Sequence, residues 1–130
     1  MLTNRSMPDD VLIPVLAYPD VPEAIAWLEK AFGFRRRWAT EDRAQVAVGE
    51  SAAITLIAGP PPSSSTDLVM VRVEDLDAHR ARAEEAGARV GLSGIFPMGE
   101  KQYTARDLAG RAWVFTESVL DVAPAEWGAS

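Results

Sequence analysis

The sequence contains no cysteine and only one histidine, His79. Without thiols, the chain cannot form disulfides, zinc–thiolate sites or a cysteine nucleophile. His79 falls within a predicted helix, and one imidazole without convergent donors does not make a metal site. We therefore expect His79 to have a packing or surface role.

Positive charge and long apolar runs are also scarce. The 13 Lys and Arg residues are outnumbered by 19 Asp and Glu residues, which gives a net charge of −6. A nucleic-acid surface needs a concentrated basic patch, so we expect no nucleic-acid partner. The apolar run 11–18 is too short to span a bilayer and lacks the flanks of a signal peptide. We expect a cytoplasmic protein with no membrane partner.

The 130 residues suffice for one domain with an ordinary core, since 48% of them are apolar. We expect a flexible N-terminus at 1–10, a single domain at 11–120 and a C-terminal tail at 121–130.

An internal repeat organises that domain. An extended run at 11–18 precedes a helix with Asp20 as its N-cap and Gly33 at its end, and a run at 68–73 precedes a second helix, between Asp75 and Gly87. The two caps lie 55 positions apart and the two glycines 54, which indicates repetition. Extended segments follow each helix, at 34–40, 43–48 and 52–58, and at 90–92, 101–106 and 112–118. The pattern predicts an α+β fold of two βαβββ modules, at 11–58 and 67–118, joined by the linker 59–66.

Alternation along the last strand predicts its two faces. Trp113 and Phe115 should pack against a helix, as should the valines of 68–73. The opposite face then carries small residues together with Met70 and Arg72. A four-residue loop at 107–110 would pair Tyr103 with Val114 and add Tyr103 to that face. This mixture is typical of a small-ligand pocket. In the alternative, Arg72 extends to solvent and Tyr103 is ordinary core.

Three segments resemble the vicinal oxygen chelate superfamily, which includes glyoxalase I, bleomycin-resistance proteins and extradiol dioxygenases. They are PDVPEAIAWLEKAFGF (19–34), VEDLDAHRARAEEAGARV (73–90) and GEKQYTARDLAGRAWVF (99–115). The resemblance implies a curled mixed sheet around a cavity, with the helices on the outer face.

Metal-dependent members of that superfamily place His or Glu ligands on the cavity face of the first and last strands. The resemblance assigns those four positions to Ile13, Leu68, Val114 and, in the strand at 52–58, Thr55. The first three cannot bind a divalent ion. We therefore expect neither a metal nor another cofactor.

The leading hypothesis is a metal-independent protein that binds a small organic ligand, either a drug or a metabolite. The candidate ligand-binding residues are Trp38, Thr55, Met70, Arg72, Phe96, Met98, Tyr103, Ala112 and Val114. Arg72 would match an anionic or carbonyl group of the ligand. The alternative is a lyase, isomerase or dioxygenase of the same superfamily, with or without a metal. Because members of the superfamily often dimerise, we also expect a homodimer.

Overall fold

A computed structural model describes residues 2–63 and 66–130, and it contains two units in sequence, each with a strand, a helix and further strands. The first comprises β1 (Val15–Tyr18), α1 (Val21–Phe32), β2 (Arg35–Ala39), β3 (Arg43–Val48) and β4 (Ala52–Ala58). The second comprises β5 (Val69–Arg72), α2 (Leu76–Glu85), β6 (Arg89–Val90), β7 (Gly94–Phe96), β8 (Glu100–Arg106) and β9 (Ala112–Ser118), and a 3-10 turn at Pro124–Trp127 follows. The predicted α+β fold of two modules is confirmed, and the second module has one strand more than predicted, because β6 and β7 stand where a single strand at 90–92 was expected. Positions 64 and 65 of the predicted linker, and position 1, lie outside the described residues.

Both helices begin where the sequence predicts, and a glycine with positive φ follows each of them, Gly33 directly after α1 and Gly87 two residues after the end of α2. The Asp20 carboxylate accepts a hydrogen bond from the Glu23 N–H at 3.0 Å, and Gly33 ends α1 with a φ of 77°. Asp75 caps α2 in the same way, since it accepts from the Ala78 N–H at 3.1 Å. Local capping therefore sets the length of each helix.

The strands form two mixed sheets. The first has the order β1-β4-β3-β2, and the second has the order β5-β9-β8-β6 with β7 also paired to β8. β1 runs parallel to β4, and β5 runs parallel to β9. Neither sheet closes on itself, and β1 and β5 each lie at an edge. Pro14 lies just before β1, where its carbonyl accepts from the Thr55 N–H at 2.9 Å and no N–H of its own is required.

One hydrophobic core joins the modules. The Phe32 ring at the end of α1 lies 5.6 Å from the Trp113 ring and 4.7 Å from the Phe115 ring, centroid to centroid. Arg82 of α2 donates hydrogen bonds to the Lys30 and Glu29 carbonyls of α1, at 2.9 and 3.0 Å. Each sheet buries one face in this core. The opposite faces, termed the outward faces, therefore point away from it and cannot meet within one chain.

The predicted register of β8 and β9 is wrong by one residue. The connecting loop has three residues rather than four, because Asp107 and Arg111 pair at its base. The Asp107 carboxylate accepts from the N–H groups of Ala109 and Arg111 at 2.9 and 3.0 Å, and Gly110 adopts a φ of 81°. Tyr103 consequently pairs with Phe115 instead of Val114. A shift of one residue exchanges the faces of a strand, so Tyr103 lies in the core and not on the outward face.

Within the part of the chain that the structure describes, no helix combines the length and apolar character needed to cross a membrane.

Candidate ligand-binding site

The outward face of the second sheet brings three of the predicted site residues together. Met70 pairs with Val114, and Arg72 pairs with Thr116, across β5 and β9. Met70 is 59% exposed, whereas Val114 is buried. This face therefore combines an accessible thioether, an aliphatic floor and a guanidinium group.

Polar side chains continue this face on β8. The Thr116 hydroxyl donates to a Glu100 carboxylate oxygen at 2.6 Å and accepts from the Gln102 amide at 3.1 Å. Hydrogen bonds from Ser118 and Thr116 lower the pKa of Glu100, and the nearby Arg72 charge lowers it further. Glu100 is therefore an anion at neutral pH, and it provides Arg72 with a countercharge.

The outward face of the first sheet holds Trp38 and Thr55. They flank Gln45 in one row across β2, β3 and β4. The Gln45 amide donates to the Thr55 hydroxyl at 3.3 Å, and its oxygen accepts a hydrogen bond from Arg37. A shift in the pairing of β2 between Arg36 and Trp38 lets Arg37 reach this row.

Of the remaining predicted residues, Ala112 lies at one end of the outward face of the second sheet, whereas Phe96 and Met98 lie elsewhere. Ala112 begins β9 on the outward face, opposite Arg106. Phe96, on β7, and Met98, in the turn that follows, are 44% and 37% exposed, and β7 pairs with β8 on the side away from β5. These two side chains are therefore not neighbours of Met70 and Arg72. The ligand-binding roles assigned to these residues stay predictions.

Tyr103 instead binds His79 inside the core. The His79 Nε2 lies 3.1 Å from the Phe32 carbonyl, which can only accept, so Nε2 carries the proton. Nδ1 then accepts from the Tyr103 hydroxyl at 2.7 Å. Burial lowers the pKa of His79 and raises that of Tyr103. The pair is neutral and fully hydrogen-bonded, which fits the expected packing role of His79.

A cavity of about 970 Å³ opens along the free edge of β5. Met70 and Arg72 line it together with the turn between β3 and β4, and Phe34 and Trp113 are among its apolar walls. Its volume is within the range of pockets that hold small molecules. The cavity lies at the junction of the two modules, so neither module alone would form it.

The residues at the superfamily's metal-ligand positions do not fit a divalent ion. Ile13, Leu68 and Val114 are aliphatic, and Thr55 offers only a neutral hydroxyl, which already accepts from Gln45. Across residues 2–63 and 66–130, no three His, Cys, Asp or Glu side chains come together as possible ligands.

Sequence reasoning did not select Gln45 or Gln102. The sequence does contain a signal for Gln45. It is the polar residue within the run Ala44–Val48, and alternation along the strand puts it on the face opposite to that of the buried Val46. Gln102 could not be placed, since the predicted register of β8 and β9 put it on the face that packs against the helices.

A model of the Glyoxalase/Bleomycin resistance protein/Dioxygenase superfamily matches residues 11–115. The chain belongs to this superfamily. The resemblance found in the sequence is thus confirmed, and the superfamily accounts for the paired βαβββ modules. None of the curated proteins with which the chain was compared matches it in sequence.

Solved structures of this fold superpose on almost the whole chain. TioX from Micromonospora sp. ML1 is 28% identical with a TM-score of 0.69, over 88% of this chain and 100% of TioX. The bleomycin-binding protein from bleomycin-producing Streptomyces verticillus, complexed with copper(II)-bleomycin, is 22% identical with a TM-score of 0.66, over 90% and 98% of the two chains. The fosfomycin resistance protein FosX from Listeria monocytogenes, complexed with Mn(II) and sulfate, is 12% identical with a TM-score of 0.72, over 88% and 94%. The last two share the fold at low identity.

Proposed function

We propose that the chain is a metal-independent binding protein for a small organic ligand, a drug or a metabolite. The observation that carries this proposal is the cavity along β5, which Arg72 and Met70 line together with apolar side chains. Apolar walls with a few polar groups suit shape-based binding of an organic molecule, and Arg72 would match a carbonyl or anionic oxygen. Aliphatic side chains at the metal-ligand positions support binding without a metal. A cytoplasmic location stays a prediction from the sequence.

We further propose that the protein binds its ligand as a homodimer. The outward faces expose apolar side chains next to the free edges of β1 and β5, namely Val15, Leu68 and Met70, which are 57%, 51% and 59% exposed. The outward face of the first sheet in one copy can cover the outward face of the second sheet in another copy. Within one chain these two faces cannot meet, because both sheets pack on the same core. A ligand on β5 would then be enclosed by two chains.

Titration with bleomycin and with planar antibiotics tests the binding function, with tryptophan fluorescence as the signal. We chose bleomycin because a protein with the same fold was solved with it. A ligand should give a saturable change, and Arg72→Ala should weaken its binding about tenfold through loss of a charged hydrogen bond. Arg36→Ala is the matched control, because Arg36 pairs with buried Val46 on the helix side of the first sheet.

Equal binding by Arg72→Ala and the unmodified chain would contradict a role for the β5 cavity, and no response to any of these ligands would contradict the binding function. The enzymatic alternative is separated by metal analysis of protein purified without chelators. Stoichiometric nickel, zinc, manganese or iron would favour the enzyme.

A further inference from the structure

His79 connects the hydrogen-bonded core to the β5 cavity. Its imidazole donates to the Phe32 carbonyl, accepts from the Tyr103 hydroxyl and lies 4.2 Å from the Phe115 ring, centroid to centroid. The same side chain lines the β5 cavity together with Phe32, the last residue of α1. A ligand in the cavity would therefore contact a group that can take up a proton.

The walls that His79 shares with this cavity are mostly apolar. Val71 and Val73, which pack against the core, line the cavity, and so do Phe34 and Trp113. The nitrogens of His79 face a carbonyl and a hydroxyl rather than a carboxylate, so an imidazolium ion here would depend on water in the cavity. A ligand that fills the cavity removes that water and disfavours the charged form.

Protonation of His79 would also disturb its hydrogen bond with Tyr103. Both ring nitrogens of an imidazolium ion donate, so the buried Tyr103 hydroxyl would have to accept. Among the described residues, the hydroxyl proton of Tyr103 would then have no other acceptor. Burial lowers the pKa of His79, and the nearby Arg82 charge lowers it further. Both effects favour the neutral imidazole in the folded chain.

The other groups that face His79 come from four elements and from the cavity. α2 contributes Arg82, which donates to the last carbonyls of α1, and β8 contributes Tyr103, whose pKa is raised by burial. α1 and β9 present the rings of Phe32 and Phe115. The charged residues that line the cavity are Arg72, Glu50 and Glu74. Of these side-chain types, imidazole is the one that ordinarily changes its charge between pH 5 and 8.

We propose that His79 makes the β5 cavity a pH-dependent site, which holds an uncharged organic ligand with a carbonyl group near pH 7 and releases it on mild acidification. The inference rests on the proposed function, because it concerns the same cavity. It also narrows the class of ligand. Arg72 already has the Glu100 carboxylate as a countercharge, so a carbonyl oxygen suffices as its partner in the ligand.

Proton and ligand oppose each other in this site, and the opposition is reciprocal. Binding favours the neutral imidazole, so affinity is complete above the pKa of His79 and falls as the pH drops through it. The ligand must in turn lower the pKa of His79 by the same free energy by which protonation weakens binding.

Prodan, an uncharged naphthyl ketone whose emission moves to the blue in apolar surroundings, tests the pH dependence. We expect its affinity for the unmodified chain to fall about fivefold or more between pH 7 and pH 5. His79→Gln should keep at pH 5 the affinity that it has at pH 7. Glu50 and Glu74 remain in this variant, so any pH dependence that they cause would persist in it.

A purely structural role for His79 would lower stability at pH 5 without changing prodan affinity, because nearly all molecules would still be folded. Prodan binding of equal strength at pH 5 and pH 7 would overturn the inference and leave the proposed function intact. The same pH dependence in His79→Gln would also overturn it. No binding of prodan, bleomycin or the planar antibiotics at either pH would contradict the proposed function and, with it, this inference.

Proton NMR measures the reverse effect without any ligand. His79 is the only histidine, so its imidazole resonance needs no assignment. Val71→Phe enlarges a side chain that lines the cavity, and it should move the His79 titration to lower pH. Leu92→Phe is the control, because Leu92 is 92% exposed and lies outside the cavity. An unchanged titration in folded Val71→Phe would overturn the inference. If this variant does not fold, saturating prodan should move the titration of the unmodified chain to lower pH, and no movement would overturn the inference.

Discussion

Asp107 is the residue that connects a local turn to the packing of both modules. Its carboxylate accepts from the Tyr18 hydroxyl at 2.6 Å and from the Trp113 indole at 3.0 Å, in addition to two loop N–H groups. Burial and the Asp107 charge raise the pKa of Tyr18, which therefore stays a neutral donor. Four donors satisfy this carboxylate. Its burial therefore does not carry the free-energy cost that burying an unpaired charge would carry.

His79 makes stability depend on pH, because burial lowers its pKa in the folded chain below the ordinary value of 6.5. The unfolded chain then binds more protons near pH 6, so the free energy of unfolding should fall as the pH drops from 7 to 5. We expect a loss of about 1 kcal/mol, which allows for the partial exposure of the ring. Urea unfolding of the unmodified chain and of His79→Gln at pH 5, 6 and 7 checks this.

His79→Gln should be less stable than the unmodified chain at pH 7, but its stability should change less between pH 7 and 5. Parallel pH profiles for the two proteins would contradict the assignment. Glu100 does not interfere, because its lowered pKa shifts its own contribution to pH values below 4.5.

At the scale of elements, the turn from β7 to β8 is held by contact with the segment that directly follows β9. The Gly99 N–H donates to Phe96, and its carbonyl accepts from the N–H groups of Val119 and Leu120. Gly99 has a φ of 86°, and an added Cβ would lie 2.1 Å from the Leu120 carbonyl oxygen. Only glycine allows the two backbones to approach this closely.

Gly99→Ala should therefore destabilise the fold by about 3 kcal/mol or more, since backbone must move in addition to the strain of a positive φ. Gly110→Ala is the matched control, because its φ is 81° but nothing lies within 4 Å of the added Cβ. We expect it to cost about 1 kcal/mol. Urea unfolding of both variants measures the difference, and equal losses would show that the contact with Leu120 has no energetic weight.

At the scale of the whole molecule, two sheets share one core, and their outward faces point away from it. If these faces pair between copies, a charge at Met70 should break the dimer. We expect Met70→Asp to sediment as a monomer in velocity experiments while the unmodified chain sediments as a dimer. The variant should stay folded as a monomer, because Met70 is 59% exposed in a single chain.

Leu92→Asp is the control for the dimer, since Leu92 is 92% exposed in the connection between β6 and β7. It should leave the dimer intact. An unmodified chain that sediments as a monomer, or a dimer that survives Met70→Asp, would rule out pairing through the outward face of the second sheet.

The sequence by itself determined the features that depend on neighbouring residues. Asp20, Gly33 and Asp75 identified the helix ends because capping acts over a few positions, and the repeated spacing identified two modules of one kind. Aliphatic residues at the metal-ligand positions were likewise visible from the superfamily pattern alone.

Only the tertiary structure decided the register of β8 and β9, the place of Tyr103 and the contact between the N-terminal segment and the first sheet. The register depends on Asp107, whose partners include Tyr18, 89 positions away, and a loop that differs by one residue reverses both faces. Trp38 meets Ser6 across 32 positions. Contacts over such separations follow from how the modules pack, and periodicity along the chain carries no information about them.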